Sequence, residues 1–384
     1  MGRPCRSPIR PNLTLMRLNP LAVVFALLHV YIGLRIFAPF DGIIALMGAL
    51  LLVGLFVLLP KGFHIREQSP GAVMRAWTAS GFFSSLLVLT VARDVALLAS
   101  VAFLAPDAFS IFARFSALGV LVLAPAVTAI GFVMARMVPR VVEVEIPIEG
   151  LAKNLHGFTI VQVTDLHVGP TIKRGFVDGV VARVNGLDAD MIAITGDMVD
   201  GGVAELSHHL EPIAGLRARH GTYMVTGNHE YYSGAHAWIL EWRRLGARVL
   251  LNDHVVLDHD GHSVAIAGVT DFSAHHFDPS HRSDPHRAVA GAPGDAIKIL
   301  LAHQPRSMHE AHGAGYHLQL SGHTHGGQFW PWNLFVRLQQ PFTAGLRKVG
   351  AMWVYISSGT GYWGPPMRFG VPSEITRIRL VPVP

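Results

Sequence analysis

Hydrophobic and polar positions divide the 384-residue chain into two parts with different periods. Up to about residue 138 the apolar positions form long runs, Leu21–Phe37, Ile43–Leu59, Trp77–Ala105 and Phe115–Val138, each near or above the roughly 20 residues that cross a hydrocarbon core. The pattern predicts about four membrane helices. Arg93 and Asp94 interrupt the third run and leave two readings: a helix ending near Arg93 with an interfacial segment after it, or an ion pair inside the membrane, a functional candidate by default. A cleavable signal peptide accounts for one run and leaves three.

After Pro139 the texture changes to short β-rich runs that each end in polar residues. Phe158–Val163 leads into Thr164-Asp165-Leu166-His167, Met191–Thr195 into Gly196-Asp197, and Thr222–Thr226 into Gly227-Asn228-His229-Glu230. Ile297–Leu301 leads into Ala302-His303, and Tyr316–Leu320 into Ser321-Gly322-His323-Thr324-His325. Helix-like segments at Arg174–Asn185 and Ala235–Leu245 give a β-α-β rhythm. Open α/β sheets bind ligands beyond the carboxyl ends of their strands, where every one of these polar clusters falls. The expected organisation is a basic tail (1–17), an α-helical membrane region (18–138) and an α/β domain (139–384).

Composition sharpens this division. With 51% hydrophobic and only 15% charged residues, against roughly a quarter charged in an ordinary soluble domain, composition argues against a wholly soluble enzyme. Residues 1–140 hold 12 Lys and Arg against 4 Asp and Glu, whereas 20 of the 22 histidines follow residue 150. Arg3, Arg6, Arg10 and Arg17 precede the first run; Lys61, Arg66 and Arg75 lie between the second and third; Arg136, Arg140 and Lys153 follow the fourth. The positive-inside rule then predicts a multi-pass inner-membrane protein with its α/β domain in the cytoplasm. These charges flank apolar runs and form no patch on a folded domain, so no nucleic acid polymer is expected as a partner. Cys5, the sole cysteine, allows no intrachain disulfide.

The polar clusters carry metal chemistry. Asp165 and His167 stand two apart, so an extended segment would send both side chains to one face. A carboxylate such as Asp197 can bridge two cations, and imidazoles with an Asn carbonyl complete each shell without excess negative charge. This O/N donor set suits Mn, Fe or Zn. Two such ions about 3.5–4 Å apart clamp a phosphate and activate water for in-line attack.

In order, Asp165-Leu166-His167, Gly196-Asp197, Gly227-Asn228-His229-Glu230, His303 and Gly322-His323-Thr324-His325 reproduce the signature of the calcineurin-like metallophosphoesterases, which the chain resembles over roughly residues 155–384. The Gly-His-Thr-His-Gly-Gly-Gln run after Leu-Leu-Ala-His-Gln-Pro is similar, more narrowly, to the YkuE/YaeI-type phosphodiesterases and to transmembrane metallophosphoesterases. The resemblance implies a four-layer αββα sandwich with two divalent metal ions. One would be held by Asp165, His167, Asp197 and His325, the other by Asp197, Asn228, His303 and His323. It also implies that His229 is the general acid and that Glu230, where many members have Asp, orients its imidazole. His208, His209, His275, His276, His281, His286, His309, His312 and His317 match no position of the signature. Asp200 and Asp271, beside strand ends, read as turn or capping residues.

The resulting expectation is a membrane-integral dimetal phosphoesterase acting on a phosphodiester or pyrophosphate bond. Membrane attachment favours a lipid-linked substrate such as a UDP-diacylglucosamine-like molecule or a phospholipid. The alternatives are a phosphoprotein or nucleotide phosphatase, a membrane sensor that binds a phosphorylated ligand without turnover, and a transporter for which Arg93 and Asp94 are the only support. The aromatic run from Phe329 to Val336, with Trp330, Trp332 and nearby Arg337, is expected either to lean on the lipid bilayer beside the active-site mouth or to pack as core under a sheet.

Overall fold

The computed structural model describes residues 20–63 and 69–383. The expected basic tail, with Arg3, Cys5, Arg6, Arg10 and Arg17, and the loop residue Arg66 lie outside the described residues. Four helices come first: α1 (Pro20–Ile32, continued by a π-type turn to Phe37), α2 (Ile43–Leu58), α3 (Pro70–Ser100) and α4 (Pro106–Arg136). With the turns that extend α1 and α2, all four are long and apolar enough to cross a membrane. Pro20, Pro70 and Pro106 each open a helix, where a missing N–H leaves no intrahelical bond unmade. At 31 residues each, α3 and α4 measure about 46 Å against roughly 30 Å of hydrocarbon.

The chain forms two compact units. The first is described over 20–57 and 89–121, and within it Arg93 and Asp94 lie inside continuous α3, so the helix does not end there. The Arg93 side chain is 4% exposed. It donates to the Ala113 carbonyl (2.7 Å), to Ser116 Oγ (3.1 Å) and to Asp94 (3.2 Å). Asp94 also accepts from Tyr31 Oη (2.8 Å) and from Arg35 (2.8 and 3.0 Å). The pair ties α1, α3 and α4 together.

The second unit, Leu58–Val88 with Val122–Pro384, contains two six-stranded mixed sheets. One runs β1 (Arg140–Ile148), β12 (Glu374–Pro382), β2 (Thr159–Val163), β3 (Met191–Ile194), β4 (Thr222–Met224), β5 (Arg248–Val249). The other runs β10 (Gly345–Val349), β11 (Met352–Ile356), β9 (Leu318–Ser321), β8 (Ile297–Leu301), β7 (His262–Gly268), β6 (Asp253–His259). Strands β2 to β5 are mutually parallel, as are β7, β8, β9 and β11. This leaves the ends of β2, β3, β4, β8 and β9 on the ligand-binding side expected of parallel strands.

Period-two alternation sets the layers. Ile160, Met191 and Tyr223 join Ile266, Ile299 and Leu320 in the core between the sheets. Their chain neighbours Val161, Ile192 and Met224 face the opposite way, onto Val180 of α5 (Arg174–Asn185), Leu206 of α6 (Val203–Leu210) and Trp238 and Trp242 of α8 (Ala235–Arg244). On the second sheet, Ala267, Leu300 and Ile356 meet Ala288 of α9 (Pro285–Val289) and Met308 of α10 (Met308–Ala311). The four-layer αββα architecture is therefore present. Each fully buried aliphatic side chain contributes about 1.5–3 kcal/mol to it.

Within this unit, loops of the α/β region reach α3 and α4. The Arg368 N–H donates to the Gly131 carbonyl (2.9 Å) and Trp332 Nε1–H to Ser84 Oγ (2.8 Å). Met367 lies against Gly81 and Gly131, in space that a Cβ would fill.

Candidate metal centre and active site

Each β-strand hands its polar cluster to a loop whose backbone is unusual. Asp165, His167, Asp197, His323 and His325 all have φ between 50° and 70°, a left-handed region uncommon for residues other than glycine and associated with sites that are held in place by their surroundings. The extended Asp165-Leu166-His167 segment expected from residue spacing is replaced by this geometry, because β2 ends at Val163. The loops brace one another instead: Asp165 N–H donates to the Gly196 carbonyl (3.0 Å) and His167 N–H to the Asp197 carbonyl (3.1 Å). Close approach explains two of the glycines. A Cβ on Gly196 would lie 2.6 Å from the Gly227 nitrogen, and one on Gly322 would collide with the Asp165 carboxylate.

Six of the seven expected ligands, Asp165, His167, Asp197, His303, His323 and His325, converge. His167 Nε2 lies 3.0 Å from His325 Nε2 and 4.0 Å from Asp197 Oδ2, and His325 Nε2 is 3.5 Å from Asp165 Oδ1. On the other side of Asp197, His303 Nε2 is 3.0 Å from Oδ2 and 3.2 Å from His323 Nδ1. Asn228 Oδ1 is buried without a hydrogen-bond partner, an orphaned acceptor that normally requires an explanation. His303 Nδ1 lies 2.8 Å from the Thr195 carbonyl, to which it donates, so Nε2 is the nitrogen that faces the centre. This donor set fits divalent cations, with Asp197 between the two groups.

Asp200, read from sequence as a turn residue, is the central orienting group. Its Oδ1 accepts from Nδ1 of His167 (2.9 Å) and from Nδ1 of His229 (2.6 Å). Glu230 does not touch the His229 ring. It is the third residue of α7 (Asn228–Tyr232), and its carboxylate folds back to accept from the N–H groups of Gly227 (2.7 Å), Met198 (2.8 Å) and Asp197 (2.9 Å). The orienting role expected for Glu230 thus belongs to Asp200, and Glu230 clamps the two metal-binding loops. Asp271 does behave as a turn residue, accepting from Ser273 N–H (2.8 Å).

Arg368 is a further residue that sequence reasoning missed. Fully buried, it donates to the carbonyls of Gly361, Ser358 and His325 and lies 3.0 Å from His325 Nδ1. It thereby fixes the 358–361 loop under the site. Its only sequence signal is a lone arginine amid Met367, Phe369 and Gly370.

The electrostatics follow from crowding charges in a dry place. Burial alone would raise Asp200, but His167 and His229 outweigh it and hold the carboxyl down to about 2. Burial would lower His229, yet Asp197 and the bond to Asp200 hold it up to about 9. The same contest, won by Asp197, holds His303 up to about 10. Burial and then the neighbouring His303 push His323 down to about 3. Opposite shifts on groups this close are common at functional sites.

A cavity of about 580 Å³ opens beside His229 and Asp200, with Lys173, His209, Tyr232 and Trp363 among its walls. The aromatic run that follows the last metal-site histidines is not core. Phe329 is 9% exposed, but Trp330 is 50%, Trp332 40%, Leu334 64%, Phe335 53% and Leu338 81%. Arg337 is exposed with them.

This fold, with a two-cation donor set at the carboxyl ends of parallel strands in two packed mixed sheets, defines a metal-dependent phosphoesterase domain. The calcineurin-like phosphoesterase family profile matches residues 158–327. An uncharacterized metallophosphoesterase of Aquifex aeolicus is 31% identical over 244 residues, 63% of this chain and 91% of that one. The chain therefore belongs to the calcineurin-like metallophosphoesterase family. A "transmembrane protein with metallophosphoesterase domain" from Danio rerio is 38% identical over 271 residues, covering 67% of this chain. The Bacillus subtilis metallophosphoesterase YkuE is 28% identical over 229 residues, 57% of this chain and 78% of that one. The alignment spans 62% of the Danio rerio protein's length.

Proposed function

We propose that the protein is a membrane-integral dimetal phosphoesterase that hydrolyses a phosphodiester or pyrophosphate bond of a lipid-borne substrate, with its α/β domain (139–384) on the cytoplasmic side of a membrane region spanning 18–138. The observation that carries this reading is the convergence of Asp165, His167, His303, His323 and His325 around Asp197, from four strand ends. Asp165, His167, Asp197 and His325 would hold one cation, and Asp197, Asn228, His303 and His323 the other, as Mn, Fe or Zn. Bound there, the ions would polarise the phosphoryl group and supply hydroxide at neutral pH.

The chain's own residues do the rest. Asp200 accepts from Nδ1 of His229, so the proton on Nε2 is presented to the leaving oxygen. As the P–O bond to the leaving group breaks and the water oxygen bonds to phosphorus, that proton passes from Nε2 to the departing oxygen. The clamp on His229 favours turnover over ligand binding alone, because a binding module needs no oriented acid. The adjoining cavity gives the leaving group room beside His229, with Lys173 and His209 at hand for negative charge.

The exposed apolar run from Trp330 to Leu338 supports a lipid-borne substrate. It is joined to α3 through Trp332 and Ser84, and indole rings favour the membrane–water interface. Exposed Arg337 could add about 1 kcal/mol against anionic headgroups. The test is a panel of soluble diesters, monoesters, nucleotides and lipid pyrophosphates presented to the full chain in nanodiscs with Mn²⁺, Fe²⁺ or Zn²⁺. Preferred turnover of a lipid diester or pyrophosphate is expected. Preferred turnover of phosphopeptides or free nucleotides would overturn the lipid assignment, and a reporter fused after Pro384 that reads extracytoplasmic would overturn the orientation.

A further inference from the structure

Away from the buried centre, residues 271–286 form a histidine-rich loop, with His275, His276, His281 and His286 and two Asp-Pro steps. Short His-rich tracts are a compositional signal for metal binding. Asp278 begins a 3₁₀ turn over Pro279–His281, where its Oδ1 accepts from Ser280 N–H (2.9 Å) and Ser280 Oγ (2.6 Å). That engagement leaves Oδ2 to face two imidazoles. His236 Nε2, from the first turn of α8, is 3.0 Å away, and His281 Nε2 is 3.9 Å away.

All three donor atoms lie within 4.8 Å of one another. Tetrahedral zinc with bonds of about 2.0–2.2 Å needs donor separations of about 3.3 Å, so a small ring rotation closes the set. His281 is held from behind: its Nδ1 lies 2.8 Å from Tyr231 Oη, and Tyr231 is buried. A hydrogen bond on one ring nitrogen that fixes the other toward a cation is the usual arrangement around metal-bound histidine. An isolated surface His–Asp pair needs no such support.

We propose that His236, Asp278 and His281 form a separate, solvent-exchangeable site for a zinc-class divalent cation, with three protein ligands and one open position. Two imidazole nitrogens and a carboxylate oxygen, without thiolate, suit that class. Side-chain exposures of 73%, 24% and 14% leave the site open for exchange. Occupancy ties the 271–286 loop to the α7–α8 corner through Tyr231, which shares α7 with Asn228 and His229.

The test counts zinc bound to the full chain in detergent after chelation and reloading, in wild type, His236→Gln/His281→Gln and Asp197→Asn. The double variant is expected to lose one equivalent per chain. Asp197→Asn, which strikes the buried centre, is expected to retain one equivalent that disappears when the two changes are combined. Tyr231→Phe should weaken this site by about 10-fold or more. The proposal is overturned if the double variant binds as much zinc as wild type, or if the equivalent left in Asp197→Asn survives the added changes. Loss of metal from Asp197→Asn alone bears on the buried centre and not on this site, so the two readings fail separately.

Discussion

The helical region and the α/β region place their apolar residues in opposite ways. In the α/β region Ile160, Ile299, Leu320 and Trp238 are fully buried, whereas along α1 to α4 Leu21 is 77% exposed, Leu46 61%, Leu98 77% and Phe115 67%. Water drives the first pattern; the second is stable only where the surroundings are themselves apolar. The segment from Trp330 to Leu338 belongs to the α/β region by sequence but follows the helical rule. We propose it as the point at which the domain meets the bilayer, and it follows closely in the chain on His323 and His325.

The contrast can be broken most forcefully at the buried centre of the α/β region. His229→Ala should retain metal and lower kcat by about 10²–10⁴ on soluble and lipid substrates alike, since it removes proton donation and no ligand. Retained activity would remove His229 from the chemistry. Asp200→Asn, acting only through the imidazoles it orients, should cost about 10–100-fold in metal affinity or activity. A smaller effect than that of Glu230→Gln would return the orienting role to Glu230.

Trp330→Ser with Trp332→Ser sharpens the comparison at the boundary. Exposed substitutions ordinarily cost within about 0.5 kcal/mol, and the lost Trp332–Ser84 bond adds about 0.5–1.5 kcal/mol. The fold and the turnover of bis(p-nitrophenyl) phosphate should therefore persist while turnover of a bilayer-embedded substrate is lost. Parallel loss of both would mean that the segment supports the site and not the membrane. The smallest effect is expected from Arg93→Met with Asp94→Asn, which should lower the melting temperature in detergent and leave catalysis unchanged. A selective loss of turnover would give the pair a functional role.

The residues that gather around Asp197 were legible because the metal chemistry expected of them demands particular residue types at strand ends, and the alternation of apolar positions made those ends visible. The roles around them were not. Asp200 and Glu230 are both acids in loop or helix-start positions, and only the paths of their side chains separate the one that reaches two imidazoles from the one that folds back on three N–H groups. Residue spacing put Asp165 and His167 on one face of an extended segment, although both adopt left-handed backbone. Hydropathy located the four spans but could not choose between a helix end and an ion pair at Arg93, since the partners Tyr31, Arg35, Ala113 and Ser116 are distant in sequence. For the same reason it gave no hint that Ser84 and Gly131 meet the 330–369 loops.

Metal bound by His236→Gln/His281→Gln, with and without Asp197→Asn, measured by mass spectrometry alongside hydrolysis of bis(p-nitrophenyl) phosphate, tests the central claim most directly. The account predicts two equivalents per chain and full turnover with Asp197 intact, and loss of both metal and turnover once the Asp197 carboxylate is neutralised. Undiminished metal and turnover in the Asp197→Asn protein would contradict it.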